Sequence, residues 1–179
     1  MKREATLKKK IIEFIKDILI PVAIAFFITH FICFIAVVPT ASMKPFINEN
    51  DHLIVNKVEK HFGTIERGEL LVFNAPPDIS GEKKLLIKRV IGLPGETVEI
   101  KEGIVYINDT PLNEDYVVYK DTKNMEKINI PENEYFLLGD NRSNSFDCRF
   151  WNKKTINEKD VVGIAHTFDS IKRIFININ

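Results

Sequence analysis

The sequence predicts a mainly β fold, in which a single N-terminal transmembrane helix precedes a mostly antiparallel β domain. Two observations support this fold class. Residues 18–38 contain no charged side chain. After residue 38, apolar residues occur in short segments separated by Gly, Pro, Asn and Asp, which is typical of strands joined by turns. Because no repeat or linker interrupts residues 39–179, we expect one folded domain there.

The uncharged segment is long enough to cross a bilayer. Its 21 residues would extend roughly 30 Å as a helix, which matches the hydrocarbon thickness of a membrane. A cleavable signal peptide has a shorter apolar region of about 7–15 residues. A buried helix of a soluble domain is rarely apolar on every face over such a length. The sequence therefore predicts a retained transmembrane helix at residues 18–38.

The charge distribution predicts the orientation of this helix. Residues 1–17 carry six basic and three acidic side chains. Basic flanking residues remain on the cytoplasmic side of a membrane. We therefore expect a single-pass protein of the cell membrane, with residues 1–17 in the cytoplasm and residues 39–179 on the extracytoplasmic face. The residues after the helix carry 19 basic and 22 acidic side chains, so a nucleic-acid partner is not expected.

Seven short apolar segments predict the strands of the domain. They are residues 52–57, 69–73, 85–91, 97–101, 104–107, 135–138 and 161–168. Glu102-Gly103 predicts a hairpin turn between the fourth and the fifth. Residues 112–133 are polar and predict only weak strands, and the pattern near residues 171–178 is ambiguous. Cys33 and Cys148 are not expected to form a disulfide, because one lies in the predicted span and the other in the domain.

Ser42 is a candidate nucleophile because it directly follows the apolar segment, in the sequence Ala41-Ser42-Met43. No Gly-x-Ser-x-Gly frame surrounds it, so a nucleophile elbow is not predicted. A histidine base could be any of three residues, and no spacing favours one of them: His52, His61 and His166.

Lys88 is a second candidate for a base. Strand alternation places it on the same face as Leu86 and Val90, whereas Ile87, Arg89 and Ile91 share the other face. Desolvation among aliphatic side chains would lower the pKa of the amine and make it a base near neutrality. A lysine in such a pattern can also reach solvent at a sheet edge, and the pattern alone leaves both readings open.

Residues 139–151 predict a turn-rich loop after the strand at 135–138. The loop is dense in small, polar and charged residues. A purely structural interpretation is that its charged residues pair with one another: Asp140, Arg142, Asp147 and Arg149. The same loop could also line a site.

Four motifs in this chain, taken in order, resemble those of bacterial type I signal peptidases, the membrane-bound Ser/Lys endopeptidases. Ser42-Met43-Lys44-Pro45 is similar to the nucleophile motif of that family, and residues 68–73 to its Gly-Asp-hydrophobic strand. Residues 88–96 are similar to the motif that contains the general base. Residues 139–142, with Ser145, Asp147 and Arg149, are similar to the last motif. The resemblance covers nearly the whole chain and implies the β catalytic domain of the signal peptidase type.

The resemblance implies a role for each matching residue. Ser42 would be the acylating nucleophile and Lys88 the general base. Thr40 would support the oxyanion together with the backbone N–H of Ser42. Ser145 would hydrogen-bond and orient the Lys88 amine. Asp147 and Arg149 would hold the loop.

The chain departs from the family pattern at five positions. Cys148 replaces a serine and Asn152 a glycine in the last motif. Glu69 and Glu96 stand where the family has aspartates, and Phe46 replaces a threonine. None of these positions belongs to the implied dyad.

The implied reaction is the removal of signal peptides from exported preproteins through an acyl-enzyme, without a metal or other cofactor. The substrate would bind as an extended strand beside residues 85–91 and present small side chains to two shallow pockets. Membrane lipid is a further expected partner, and no oligomeric state is implied. Three aromatic residues would either touch the membrane or pack in the core: Phe146, Phe150 and Trp151.

Two alternatives belong to other classes. The first is a catalytically inert, membrane-anchored β module that binds exported chains. The second is a self-cleaving Ser/Lys protease of the repressor type, which would carry a DNA-binding domain and no membrane span. The intact set of Ser42, Lys88 and Ser145 disfavours the first, and the apolar segment at 18–38 disfavours the second.

Overall fold

The structure, a computed structural model, describes residues 2–76 and 84–168. It contains two helices, α1 and α2, and eleven strands, β1 to β11, in the described residues. The helices are α1 Lys2–Phe27 and α2 Glu59–Phe62. The strands are β1 Cys33–Val37, β2 His52–Asn56, β3 Leu70–Asn74, β4 Leu85–Gly92, β5 Thr97–Lys101, β6 Ile104–Ile107, β7 Thr110–Pro111, β8 Met125–Asn129, β9 Glu134–Leu138, β10 Ile156–Asn157 and β11 Val161–His166.

The N-terminal helix ends earlier than the sequence pattern predicts. Helix α1 continues into a π-helical turn at Ile28–Ile32, and β1 follows at once. The stretch Ile12–Ile32 is long and apolar enough to cross a membrane, and it is unburied by the rest of the chain. The last residues of the predicted segment 18–38 pair with β2 instead, from Cys33 opposite Asn56 to Val37 opposite His52. Hydropathy does not separate the two, because β1 is as apolar as the helix before it.

The domain consists of two antiparallel sheets. The larger has the strand order β1-β2-β11-β3-β4-β9-β10, and the smaller has the order β7-β6-β5-β8. Every strand pair in the described residues is antiparallel. The predicted mainly β, mostly antiparallel fold behind one apolar helix is therefore confirmed.

The predicted strands are present with shifts of one or two residues at their ends. The predicted hairpin is also present, because Glu102 and Gly103 both have positive φ angles, 50° and 80°, as its two-residue turn requires. The pattern missed three strands, β1, β7 and β10, and within residues 112–133 it did not locate β8. The segment near residues 171–178 lies outside the described residues.

Strand β4 is buried on both faces because two apolar clusters enclose it. One cluster fills the space between the sheets and includes Val90, Leu137 and Val98. The other packs the remaining face of the large sheet against the segment after β1, and it includes Ile87, Met43 and Ile47. Hydrophobic burial thus holds the segment that contains Ser42 against β4.

Both cysteines are free in the structure. Cys33 opens β1 rather than lying inside the helix, and Cys148 is fully buried. The Cys148 thiol accepts a hydrogen bond from the backbone N–H of Leu137 at 3.3 Å. Burial raises the pKa of this thiol, so it stays protonated near neutral pH.

We therefore expect the monomer band to migrate equally with and without reductant in gel electrophoresis. Cys148→Ser should leave the activity that the resemblance implies within a few-fold of wild type, because a hydroxyl oxygen can accept the same hydrogen bond from Leu137. A reductant-dependent shift of the monomer band, or loss of activity in a folded Cys148→Ser protein, would contradict this account.

Candidate active site

Ser42 lies in a short 3-10 turn, Ala41–Met43, a few residues after β1. The next residues anchor the turn, because the side chains of Met43 and Ile47 are fully buried in the cluster on that face of the large sheet. Ser42 itself is 6% exposed. The sequence favours this local structure, since the turn is flanked by Pro39 and Pro45 and is followed closely by apolar residues that can be buried.

Lys88 lies in the middle of β4, opposite Leu71 of β3. Its side chain is 4% exposed, and its Nζ donates a hydrogen bond of 2.6 Å to Ser42 Oγ. The predicted alternation holds for Ile87 and Val90, which belong to opposite clusters, but not for Ile91, which shares the cluster of Val90 at a register shift of the strand. The structure therefore brings together the two residues that the sequence analysis singled out as nucleophile and base.

Burial lowers the pKa of Lys88 from 10.5 to about 8. The charges of Asp147 and Asp140 oppose this shift, and that of Arg149 adds to it. Desolvation dominates because the charged ammonium loses hydration that no neighbouring carboxylate replaces by direct contact among the described residues. With a pKa near 8, about a tenth of the amine is neutral at pH 7, compared with well under a thousandth for a solvated lysine.

Thr40 lies two residues before Ser42 in an extended conformation. Its Oγ1 is 3.3 Å from Ser42 Oγ, which is hydrogen-bonding distance. The structure thus places three of the predicted site residues in one contact group: Thr40, Ser42 and Lys88.

The loop after β9 holds the Ser42 turn through backbone contacts. The N–H of Asn141 donates to the carbonyl of Ser42 at 3.0 Å, and its side-chain amide donates to the carbonyl of Ala41 at 3.2 Å. Gly139 allows this approach, because a Cβ there would lie 2.5 Å from the Ser42 carbonyl oxygen and 2.2 Å from Ser145 Oγ. Gly139 and Asn141 belong to the last of the four sequence motifs, but no local pattern indicates a role for either residue.

Ser145 does not make the hydrogen bond to Lys88 that the resemblance implies. Its Oγ is buried and has no hydrogen-bond partner among the described residues. The side chain packs against the backbone of Gly139, while the Lys88 amine donates to Ser42 instead. This expectation for Ser145 is therefore corrected: it lies beside the site without orienting the amine in this structure.

Asp147 and Arg149 make hydrogen bonds that span the loop. Asp147 is fully buried, and its Oδ2 accepts from the backbone N–H of Gly139 at 3.1 Å. Arg149 donates to Asp147 at 2.8 Å and to the carbonyl of Arg142 at 3.0 Å. These contacts tie the two ends of the loop together.

Most of the charged residues of the loop pair with residues outside it, so the interpretation of a self-contained ion-pair network is only partly right. Asp140 receives two hydrogen bonds from Arg89 of β4, at 2.8 and 2.5 Å. Arg142 pairs with Glu114 at 2.5 Å. Arg149 pairs with Asp147 within the loop and also with Asp121 outside it, the latter at 2.5 Å. The loop is therefore clamped to β4 on one side and to the segment before β8 on the other.

Arg89 is stacked between two aromatic rings. Its guanidinium carbon lies 4.9 Å from the ring centre of Phe46 and 4.4 Å from that of Tyr116. Phe46, a departure from the family pattern, thus supports the Arg89–Asp140 pair through a cation–π contact. Glu96 is another position at which the chain differs from the family pattern, and its carboxylate pairs with Arg67 at 2.5 Å.

A small cavity of about 60 Å³ lies beside Lys88. Thr40 and Lys88 form one side of it. The rest of its lining is mostly apolar: Ala36, Val37, Val38, Pro39, Leu53, Val72, Leu85, Leu86 and Ile87. Next to it, the pairing of β4 with β9 begins only at Arg89, so this strand neighbour leaves the edge at residues 85–88 unpaired.

The three aromatic residues of the loop divide between surface and core. Phe146 and Phe150 are 58% and 37% exposed and stack at 5.9 Å. Trp151 is buried in the cluster between the sheets and packs against Phe73 at 5.9 Å. Of the histidines weighed as bases, His166 lies 2.6 Å from Glu59, and His52 is exposed on β2.

The sequence of this chain matches a known protein family and several of its members. Residues 11–168 match the family described as signal peptidase, peptidase S26. The chain is 35% identical over 153 residues to a probable signal peptidase I-2 of Synechocystis sp., covering 84% of this chain and 70% of that protein. It is 36% identical over 174 residues to a signal peptidase I P of Bacillus subtilis subsp. natto, covering 90% of each.

A solved structure of a signal peptidase I from Enterococcus faecalis V583 is 30% identical, with a TM-score of 0.48, and covers 56% of this chain and 96% of that chain. The family match extends over most of the sequence, and both relatives exceed 30% identity over most of their own length. The chain therefore belongs to the peptidase S26 family of signal peptidases and is a serine endopeptidase.

Proposed function

We propose that Ser42 and Lys88 form the catalytic dyad with which this chain cuts signal peptides from secretory preproteins. The observation that carries the proposal is the 2.6 Å hydrogen bond between Lys88 Nζ and Ser42 Oγ in a site where both residues are buried. A nucleophile and a base within hydrogen-bonding reach, with the pKa of the base lowered toward neutrality, have the properties that nucleophilic catalysis requires. No observation on the described residues favours the inert binding module.

The reaction begins when neutral Lys88 takes the proton of Ser42 Oγ as this oxygen attacks the scissile carbonyl carbon. The tetrahedral intermediate collapses as the protonated Lys88 gives that proton to the leaving amine, and the new N-terminus departs. A water molecule then attacks the ester of Ser42 while Lys88 takes one of its protons. The proton returns to Ser42 Oγ as the signal peptide leaves with a free carboxylate.

Thr40 and the backbone N–H of Ser42 would stabilise the negative oxygen of the intermediate. The position of Thr40 Oγ1, 3.3 Å from Ser42 Oγ, supports a role next to the reacting carbonyl. Donors placed before the reaction stabilise the developing charge without the cost of reorganising solvent. Asp147, Arg149 and Asn141 would act through the loop, by holding the turn that contains Ser42.

The precursor would bind in an extended conformation along the free edge of β4 at residues 85–88. The cavity of about 60 Å³ beside this edge suits a methyl side chain better than a large one. Side chains near the cut would therefore have to be small. Val72 and Leu86 are two of the residues that set this limit.

The proposed topology follows from the flanking charges and the structure together. The span would be Ile12–Ile32 rather than residues 18–38, with the N-terminal basic residues in the cytoplasm and the β domain outside. Membrane lipid would contact the exposed aromatic pair Phe146 and Phe150 beside the active-site loop. The dyad would then act where membrane-inserted precursors are concentrated.

The dyad is tested by Lys88→Arg and Ser42→Ala in the detergent-solubilised full chain. Both should lower kcat/KM on a signal-bearing precursor by about 10³-fold or more, because a guanidinium cannot become a neutral base. Lys127→Arg, on the second sheet, is the matched control and should retain full activity. For the wild type, kcat/KM should rise with pH through an apparent pKa of about 8. Turnover by Lys88→Arg at the wild-type rate would exclude Lys88 as the base.

Lys88 should also reduce the stability of the fold. Its pKa is lower in the folded chain, about 8, than the ordinary 10.5, so below pH 8 the amine is charged in both states and the folded state bears the cost of burial. Lys88→Met should raise the free energy of unfolding at pH 7 by up to about 3 kcal/mol. Between pH 8 and pH 10.5 the unfolded state binds more protons, so the wild type gains stability and the difference disappears.

This stability difference can be measured by denaturant unfolding of the two full-length proteins in detergent at pH 7 and at pH 10.5. Lys127→Met, an exposed lysine on the second sheet, serves as the control. A Lys88→Met protein less stable than wild type at pH 7 would contradict the desolvation argument.

The cavity is tested by Val72→Ala. This change enlarges the space beside Lys88, so the variant should cut precursors with valine in place of alanine before the scissile bond at least about tenfold better than wild type does. Val105→Ala removes the same atoms from an equally buried position between the sheets. It should cost similar stability and leave the preference unchanged. If Val72→Ala and Val105→Ala show the same preference between valine and alanine precursors, Val72 does not line the substrate pocket.

A further inference from the structure

The junction between the apolar helix and the catalytic sheet contains no loop. The π-helical turn Ile28–Ile32 is followed directly by β1, whose first residue donates its N–H to the carbonyl of Ile28. The residues after it are extended, so they cannot supply the remaining N–H groups that a continuing helix would provide. The carbonyls of Thr29, His30 and Ile32 therefore need partners from elsewhere.

Lys57, the residue after β2, supplies all three. Its Nζ donates to the carbonyls of His30 at 2.7 Å and Thr29 at 3.1 Å. Its backbone N–H donates to the carbonyl of Ile32 at 2.8 Å. The amine also lies 5.1 Å from the centre of the Phe34 ring in β1. One residue of the domain thus contacts the last turn of the helix and the strand that follows it.

Three physical effects favour this contact. The C-terminal end of a helix carries partial negative charge, which a cation stabilises. Unpaired carbonyls at the end of a membrane span are costly wherever they lie in the hydrocarbon region, because no water is present there to replace the missing donors. A lysine can keep its long apolar stem against the protein while its amine reaches polar groups at the interface.

Strand pairing and Lys57 restrain different motions. Five residues of β1 pair with β2 between the end of the helix and the segment that contains Ser42. These five residues extend over roughly 17 Å, and their pairing fixes that distance. They do not restrain the tilt of the helix about the π-helical turn, because these pairs all lie beyond it. The two bonds from Lys57 Nζ reach back across the turn and oppose that tilt.

We propose that Lys57 is a positioning residue that fixes the tilt of the membrane helix against the catalytic sheet. It thereby sets the height and orientation of Ser42 for precursors that are inserted in the same membrane. This inference rests on the proposed function, since it assigns Lys57 a role only toward membrane-inserted substrates. A short soluble peptide that spans the cut does not depend on the membrane and would not sense the tilt.

The test uses the full chain in lipid vesicles with two substrates, a membrane-inserted precursor and a soluble peptide with the same cut. Lys57→Met keeps the stem and removes the donors, so it should lower precursor cleavage at least fivefold and leave peptide cleavage within twofold. Lys57→Arg, which keeps charge and donors, should restore most of the precursor cleavage. Lys127→Met controls for the loss of an exposed lysine and should resemble wild type. Equal effects on the two substrates, whether both unchanged or both reduced, would overturn the proposal.

A second measurement is independent of activity. Spin labels at Val22→Cys in the helix and Glu126→Cys in the second sheet, with Cys33→Ala and Cys148→Ser, report the angle between helix and domain as a distance distribution. This distribution should broaden in Lys57→Met and narrow again in Lys57→Arg, and an unchanged width in Lys57→Met would overturn the role. If the wild type cuts neither substrate in a Ser42-dependent manner, the proposed function fails, while the label distances still decide the role of Lys57.

Discussion

The contact between the Lys88 amine and the Ser42 hydroxyl depends on the removal of water from a lysine. A lysine in water would not be held next to a serine, and its ammonium group would not lose its proton near neutral pH. The structure removes this water by placing Lys88 at the centre of a strand that apolar clusters enclose on both faces. In the large sheet, β3 pairs with residues 85–89 of β4, whereas β9 pairs with β4 only from Arg89 onward, so Lys88 is the last residue of the unpaired edge.

Ser42 is held in place by a different kind of interaction. Ser42 belongs to a short turn with no regular strand partners, so its position depends on Met43 and Ile47 in the core and on backbone hydrogen bonds from the loop after β9. Buried ion pairs connect that loop to β4 and to the segment before β8. The stacked Arg89 joins these parts, since it contacts Asp140, Phe46 and Tyr116 at once. Buried pairs of this kind favour a single arrangement more than they add to stability.

The membrane helix is part of the same construction. Because β1 continues the helix without a loop and pairs with β2, the span is attached to the sheet that carries Lys88. Two free edges then lie close to one another: the unpaired part of β4 and the exposed apolar residues of β1 such as Val37. A precursor that leaves the bilayer beside the helix would meet the substrate cavity within a few residues, which is consistent with Val37 and Val38 in its lining.

The sequence by itself determined the fold class, the strands with clear apolar patterns and, through ordered motifs, the candidate residues Ser42 and Lys88. Local patterns carry that information, since alternation and turn residues act over a few positions. Three features were decided by the tertiary structure. The strand character of Cys33–Val37 depends on its pairing with β2, because its apolar composition matches the helix before it. Ser145 Oγ is buried without a hydrogen-bond partner among the described residues, and only the packing of the loop decides how far it lies from the Lys88 amine. Lys57 and Phe46 acquired partners from residues that are distant in sequence or belong to another element, and no local pattern encodes such contacts.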